Sequence, residues 1–204
     1  MLLLNKELPP TPSFIVHDKN TCPDDPKLYF SPEECMWIRQ WAEKRTPQFA
    51  SVGVGEQSEV RRSTRDVYLY GMPRDEITDG VFRKILYQVD YANKNAFNFE
   101  LTGILHDLQV LKYDSKTEQH YDWHIDISGG NSYGRKISYS LQLSDPSEYE
   151  GGTLEIYDGN NHIVPQAQGT AVMFPSYMCH RVAPVTAGTR WSLVIWIQGS
   201  SHFR

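Results

Sequence analysis

The stretch Tyr121-Asp122-Trp123-His124-Ile125-Asp126 holds an imidazole and a carboxylate two residues apart. In an extended strand, positions i and i+2 face the same way and sit about 6.5–7 Å apart, so both side chains can lean onto one divalent metal ion. Two such ligands hold a metal weakly, and a third must come from elsewhere. His180, in Phe174-Pro175-Ser176-Tyr177-Met178-Cys179-His180, opens another strand-like run. Two histidines and one carboxylate form the facial triad that suits Fe(II) and leaves coordination positions open for reactants. The motif is doubled, however. His120-Tyr121-Asp122 lies four residues earlier, and on a regular strand His120, Asp122, His124 and Asp126 would share one face. Strand periodicity does not choose between the copies.

The elements that must position these residues follow from pattern. Residues 1–30 are rich in Pro and Asp and read as an extended arm, with Phe14-Ile15-Val16 as a short edge strand. Residues 31–204 read as a single domain, with helical support over 31–100 and a β core over 104–198. At Ser31-Pro32-Glu33-Glu34 a capping box with Pro at the first helical position opens a helix, and Cys35, Ile38, Trp41 and Ala42 fall on one face of it. Ile77, Val81, Ile85, Val89 and Ala92 recur about one turn apart, which predicts a second helix over 75–94. A glycine-bearing loop at 52–58 has the composition of a lid.

From residue 104 the pattern turns to short strands with turn signals between them, including Asp158-Gly159-Asn160-Asn161. Many strands without intervening helices predict a mostly β fold, a jelly-roll barrel buttressed by the N-terminal helices. In the last strand Trp191, Leu193, Ile195 and Ile197 fill one face, and Arg190, Ser192, Val194 and Trp196 the other. One face must lie under the helices. A turn at Thr186-Ala187-Gly188 is expected to reverse the chain between His180 and Arg190.

With 40% hydrophobic residues the chain can bury a sizeable core, and a net charge of −5 argues against a phosphate-binding surface, so no nucleic-acid partner is expected. The apolar start Met1-Leu2-Leu3-Leu4 is too short for a signal peptide or a membrane helix. Three cysteines without metal-type spacing fit a reducing compartment. The expectation is a cytoplasmic protein with no membrane association.

Several blocks then line up in order: Val60-Arg61-Arg62-Ser63, Tyr121-x-x-His124-x-Asp126, Leu141-Gln142-Leu143-Ser144-Asp145, Glu150-Gly151-Gly152-Thr153-Leu154, Gly169 to Ser176, His180-x-Val182-x-Pro184-Val185 and Gly188-Thr189-Arg190-Trp191-Ser192. On these, residues from about 31 to 198 resemble the prolyl 4-hydroxylase-like branch of the Fe(II)/2-oxoglutarate dioxygenases, close to bacterial prolyl/lysyl hydroxylase-like proteins. The resemblance favours His124 over His120, because the aromatic Tyr121 stands three residues before it. It implies that His124, Asp126 and His180 hold Fe(II), and that Arg190 grips the distal carboxylate of 2-oxoglutarate, aided by Ser192. A guanidinium fork suits that task. Tyr113 and Tyr121 are similar to residues of the co-substrate pocket, and Arg61, Arg62 and Ser63 to residues bordering the substrate groove.

The implied reaction consumes O2 and 2-oxoglutarate, gives succinate, and hydroxylates a prolyl, or else a lysyl or arginyl, residue of a protein or peptide, with ascorbate as a supporting reductant. A free amino acid or small metabolite is the alternative substrate. A non-catalytic binding module on the same fold is the second alternative.

Overall fold

The computed structural model describes residues 11–52, 59–127, 132–200 and 203. The expected lid at 52–58 and the first ten residues of the arm lie almost entirely outside them. In chain order come β1 (Ile15–His17), α1 (Pro32–Glu43), β2 (Gln48–Phe49), β3 (Arg65–Asp66), β4 (Tyr68–Met72), α2 (Asp79–Ala92), β5 (Leu101–Gly103), β6 (Leu108–Asp114) and β7 (His120–His124). Then follow β8 (Arg135–Gln142), β9 (Tyr149–Gly151), β10 (Leu154–Tyr157), β11 (Asn161–Ile163), β12 (Ala171–Pro175), β13 (Cys179–Val182) and β14 (Val185–Gly199).

Local chemistry sets the helices. Ser31 accepts from the Glu34 backbone N–H, and Glu34 Oε2 accepts from the Ser31 N–H at 2.7 Å, so the capping box forms as read. The second helix starts later than its periodicity predicts. Asp75 Oδ1 accepts the backbone N–H groups of both Ile77 and Thr78 at 2.9 Å, which ties those residues into a turn ahead of α2. Ile77 is left 69% exposed rather than buried on the helix. A π-helical turn, Asn93–Phe97, closes α2.

The strands form two sheets. The larger runs β1-β12-β8-β14-β6-β4-β2, with β5 and β9 also on β14; the smaller runs β11-β10-β13-β7-β3. The jelly roll is therefore two facing sheets, not the closed barrel expected. One core lies between the helices and the larger sheet, where Ile38, Phe82 and Ile85 meet Trp191, Leu193, Ile195 and Ile197. A second lies between the sheets and includes Leu111, Leu154, Phe174 and Val182. The two faces of β14 divide as the alternation predicts. The arm contributes β1 to the edge of the larger sheet, with Ile15 opposite Met173.

One expected reversal is elsewhere. Thr186, Ala187 and Gly188 belong to β14, which runs unbroken from its pairing with β9 into its pairing with β6 and β8. The chain instead leaves β13 at Ala183 and Pro184.

Candidate metal centre

Opposite His180 on β13 stands His124 on β7, and opposite Val182 stands Tyr121. Two steps on β13 thus match three on β7. The extra residue is a β-bulge, and it puts the two copies of the motif on different faces. Asp122 and Trp123 both face solvent, and the face assignment changes parity across them. Tyr121 and His124 consequently point to the same side, with ring centroids 3.5 Å apart and planes 15° apart. His120 falls outside, where its Nδ1 is 3.0 Å from Glu118 O. Asp122 is exposed on the same outer side.

Inside, one ligand atom each from His124, Asp126 and His180 lies within 4.8 Å of the others. His124 Nε2 is 3.7 Å from Asp126 Oδ1, and His180 Nε2 is 3.4 Å from Asp126 Oδ2. Donors at such spacings surround a point about 2 Å from each, the reach of a first-row divalent metal. The ring orientations fit as well. His124 Nδ1 is 2.7 Å from Asp122 O and His180 Nδ1 is 3.0 Å from Met178 O, so each Nδ1–H donates to a carbonyl and each Nε2 turns its lone pair inward. Burial, and then the neighbouring His180 ring, push His124 down to about 3, which leaves a neutral imidazole ready to ligate.

Burial alone would raise the Asp126 carboxyl, but the imidazoles and hydrogen bonds from Ser138 and Trp196 hold it below the usual range. Ser138 Oγ donates to Asp126 Oδ2 at 2.6 Å, and the Ser176 hydroxyl lies 3.0 Å from Ser138 Oγ. The Asp126 backbone N–H donates to Ser176 O at 3.0 Å. The Phe174–Ser176 block thereby fixes the carboxylate, and the donor set fits an Fe(II) ion.

The cluster opens into a cavity of roughly 40 Å³ between the sheets. Arg190 lies in its wall, 3% exposed, with Nη1 3.4 Å from Ser192 Oγ and the guanidinium 5.4 Å from the Tyr113 ring centre. Tyr149 also hydrogen-bonds Arg190 and receives a bond from Gln142 Nε2 at 2.9 Å. Burial raises the hydroxyls of Tyr113 and Tyr121, which stay protonated donors. Among the described residues no carboxylate pairs with Arg190.

Arg61, Arg62 and Ser63 are exposed and do not line this cavity. Arg61 pairs with Glu59, and Arg62 grips Asp66 through Nε and Nη2, both at 2.9 Å. The arginine of this stretch that does line it is Arg65, which the sequence reading gave no site role, as it gave none to Ser138, Tyr149 and Trp196. A signal existed for Ser138: in Ile137-Ser138-Tyr139-Ser140-Leu141-Gln142 small polar residues alternate with apolar ones in a strand buried on both faces. Buried polar side chains need partners.

Residues 108–198 match the model of the 2OG-Fe(II) oxygenase superfamily, whose name gives both metal and co-substrate. A PKHD-type hydroxylase from Janthinobacterium sp. (strain Marseille) is 39% identical over 87 residues, covering 39% of this chain and 38% of that protein. Another, from Synechococcus sp. (strain CC9605), is 34% identical over 103 residues, covering 50% and 46%. The chain thus spans less than half the length of these relatives. A Pseudomonas putida prolyl-4-hydroxylase superposes with a TM-score of 0.66 at 18% identity, over 92% of this chain and 93% of that one. A prolyl hydroxylase from Trichoplax adhaerens, in complex with a hypoxia inducible factor peptide fragment, gives 0.63 at 18% identity, over 92% and 84%. Residues 108–198 are therefore similar to the 2OG-Fe(II) oxygenase superfamily, and the fold is similar to that of these two solved prolyl hydroxylases.

Proposed function

We propose that the chain is an Fe(II)- and 2-oxoglutarate-dependent hydroxylase acting on an aliphatic C–H bond of a protein or peptide residue, prolyl first and lysyl or arginyl after it. The observation that carries this is the convergence of two inward Nε2 atoms and the Asp126 carboxylate in one cavity with an unpaired buried arginine. The names of the relatives and the peptide-bound neighbour support the choice of substrate.

In this reading His124, Asp126 and His180 hold Fe(II), with Ser138 and Trp196 aiming the carboxylate. Arg190, steadied by Ser192 and Tyr149, takes the distal carboxylate of 2-oxoglutarate, and the Tyr113 hydroxyl offers a further donor. Tyr121 walls the His124 ring and Phe174 the His180 ring, and together they exclude water from the two imidazoles. When bound, Fe(II) with 2-oxoglutarate and O2 supplies the oxidising power: one oxygen atom enters the substrate C–H bond and the other enters succinate as CO2 leaves. Ascorbate is proposed as the reductant that keeps the iron Fe(II).

Succinate release by purified protein with Fe(II), 2-oxoglutarate and ascorbate, alone and with prolyl peptides, tests the reading. His124→Ala should abolish it, and His120→Ala should leave it within about threefold, since His120 lies outside the bulge. Activity that survives the first change but not the second would overturn the ligand assignment. No succinate under any of these conditions would overturn the enzyme.

A further inference from the structure

Three formally charged groups line the cavity: Asp126, Arg190 and Arg65. On the reading above, Asp126 and the two carboxylates of 2-oxoglutarate offset Fe(II) and Arg190. Arg65 is left over. Its place is set by the backbone, because β3 pairs with β7 so that Arg65 stands opposite Tyr121. The guanidinium lies 4.8 Å from the Tyr121 ring centre, and that ring stacks on His124, so Arg65 is one ring away from the metal-holding histidine.

The partners of Arg65 are neutral. Nη1 donates to Ser51 O at 3.0 Å, Nη2 donates to Gln109 Oε1 at 3.2 Å, and Nε is buried with no partner. The adjacent Asp66 is taken up by Arg62, Thr117 and Gln119. Among the described residues no carboxylate pairs with Arg65, although it is only 8% exposed. A buried ion without a counter-ion is costly, and a loaded cavity would still hold one positive charge too many.

We propose that Arg65 is the subsite for a carboxylate of the substrate that is hydroxylated. The anion is the α-carboxylate of a free amino acid or peptide end, or the side chain of an Asp or Glu near the reacting residue. A single carboxylate balances the excess, whereas a phosphate group would overshoot it. The unpartnered Nε and the fork of Nη atoms give it the donors to do so. This inference rests on the iron and 2-oxoglutarate chemistry of the proposed function and adds what the substrate must carry, a carboxylate, whether it is a peptide or a free amino acid.

The test is anaerobic equilibrium dialysis of the protein loaded with Fe(II) and N-oxalylglycine, an unreactive mimic of 2-oxoglutarate. It is dialysed against a pool of free amino acids and short peptides, and against the same pool with every carboxylate converted to a methylamide. Retained compounds are identified by mass spectrometry. Untreated compounds should be retained at least about tenfold better than their methylamides, and Arg65→Gln should bring that ratio close to one, with Arg65→Lys in between. A third pool, amidated only at peptide C-termini and free of single amino acids, tells the sources apart. Retention kept there assigns a side-chain carboxylate, and retention lost assigns an α-carboxylate. Retention that ignores methylamidation, or no retention from any pool, overturns the proposal. If Arg65→Gln does not fold, the wild-type comparison still decides. Failure to hold Fe(II) and N-oxalylglycine at all would instead sink the functional reading underneath.

Discussion

Ser138→Ala would strip one hydroxyl from the proposed metal ligand Asp126 while leaving the three ligand side chains intact. The bond removed is short, 2.6 Å, fully buried, and made to a carboxylate. Hydrogen bonds to charged groups contribute about 1.5–3 kcal/mol, and partners of metal ligands typically matter by about 10- to 100-fold in affinity. The Trp196 indole still donates to Asp126 in the variant, so the lower part of that range applies, about 10- to 30-fold weaker metal binding. Anaerobic calorimetric titration with Fe(II), or with Mn(II) as an air-stable substitute, measures it directly. Ser140→Ala is the control, since Ser140 lines the same cavity and makes no bond to Asp126. An unchanged affinity in Ser138→Ala, or an equal loss in both variants, would refute the idea that this hydroxyl aims the carboxylate.

Two further outcomes concern the scaffold. Gly169 has φ +83°, and a Cβ there would come within 1.9 Å of Phe30 O, the residue whose N–H donates to Gly169 O. Gly169→Ala should cost about 2–4 kcal/mol, combining left-handed strain with the displaced contact, and lower Tm by roughly 4–16 °C in thermal unfolding. Cys35 is buried under the helical layer, and burial pushes its thiol up to about 12. It should stay unlabelled by iodoacetamide at pH 8 while the partly exposed Cys22 and Cys179 react; labelling of all three at one rate would show that α1 does not stay docked.

What the sequence disclosed was whatever depends on near neighbours or on a regular repeat. The Ser31–Glu34 box closes within four residues, and the alternation of β14 sorts Trp191 from Arg190 without any knowledge of the partner strands. The failures share one cause, a contact that decides against the local pattern. Ile77 continues the helical periodicity, but the Asp75 carboxylate captures its N–H first. His120 and His124 are equivalent on a regular strand, and only β13 shows that an extra residue lies between Tyr121 and His124. Of the arginines between 61 and 65, pairing with Tyr121 alone sends Arg65 inward, while Arg62 is drawn outward to Asp66. The reversal assigned to Thr186–Gly188 was plausible from glycine alone, yet β9 keeps those residues in a strand.

β14 carries Arg190 in its first half and Trp196, the partner of Asp126, near its C-terminal end. Those positions are separated by about 20 Å of backbone at the normal strand rise. β6 holds the strand from Thr189 to Val194, and β8 holds it from Ser192 to Gln198. A strand clamped in this way neither stretches nor shortens, so it would work as a gauge between the proposed cationic anchor, Arg190, and the brace of the Asp126 carboxylate. In the proposed function, a dicarboxylate shorter by one methylene would fall about 1.3 Å short of an arginine held by Tyr149 and Ser192. If Arg190 binds the co-substrate as proposed, selection for its length would reside in the pitch of a backbone rather than in the chemistry of any one side chain.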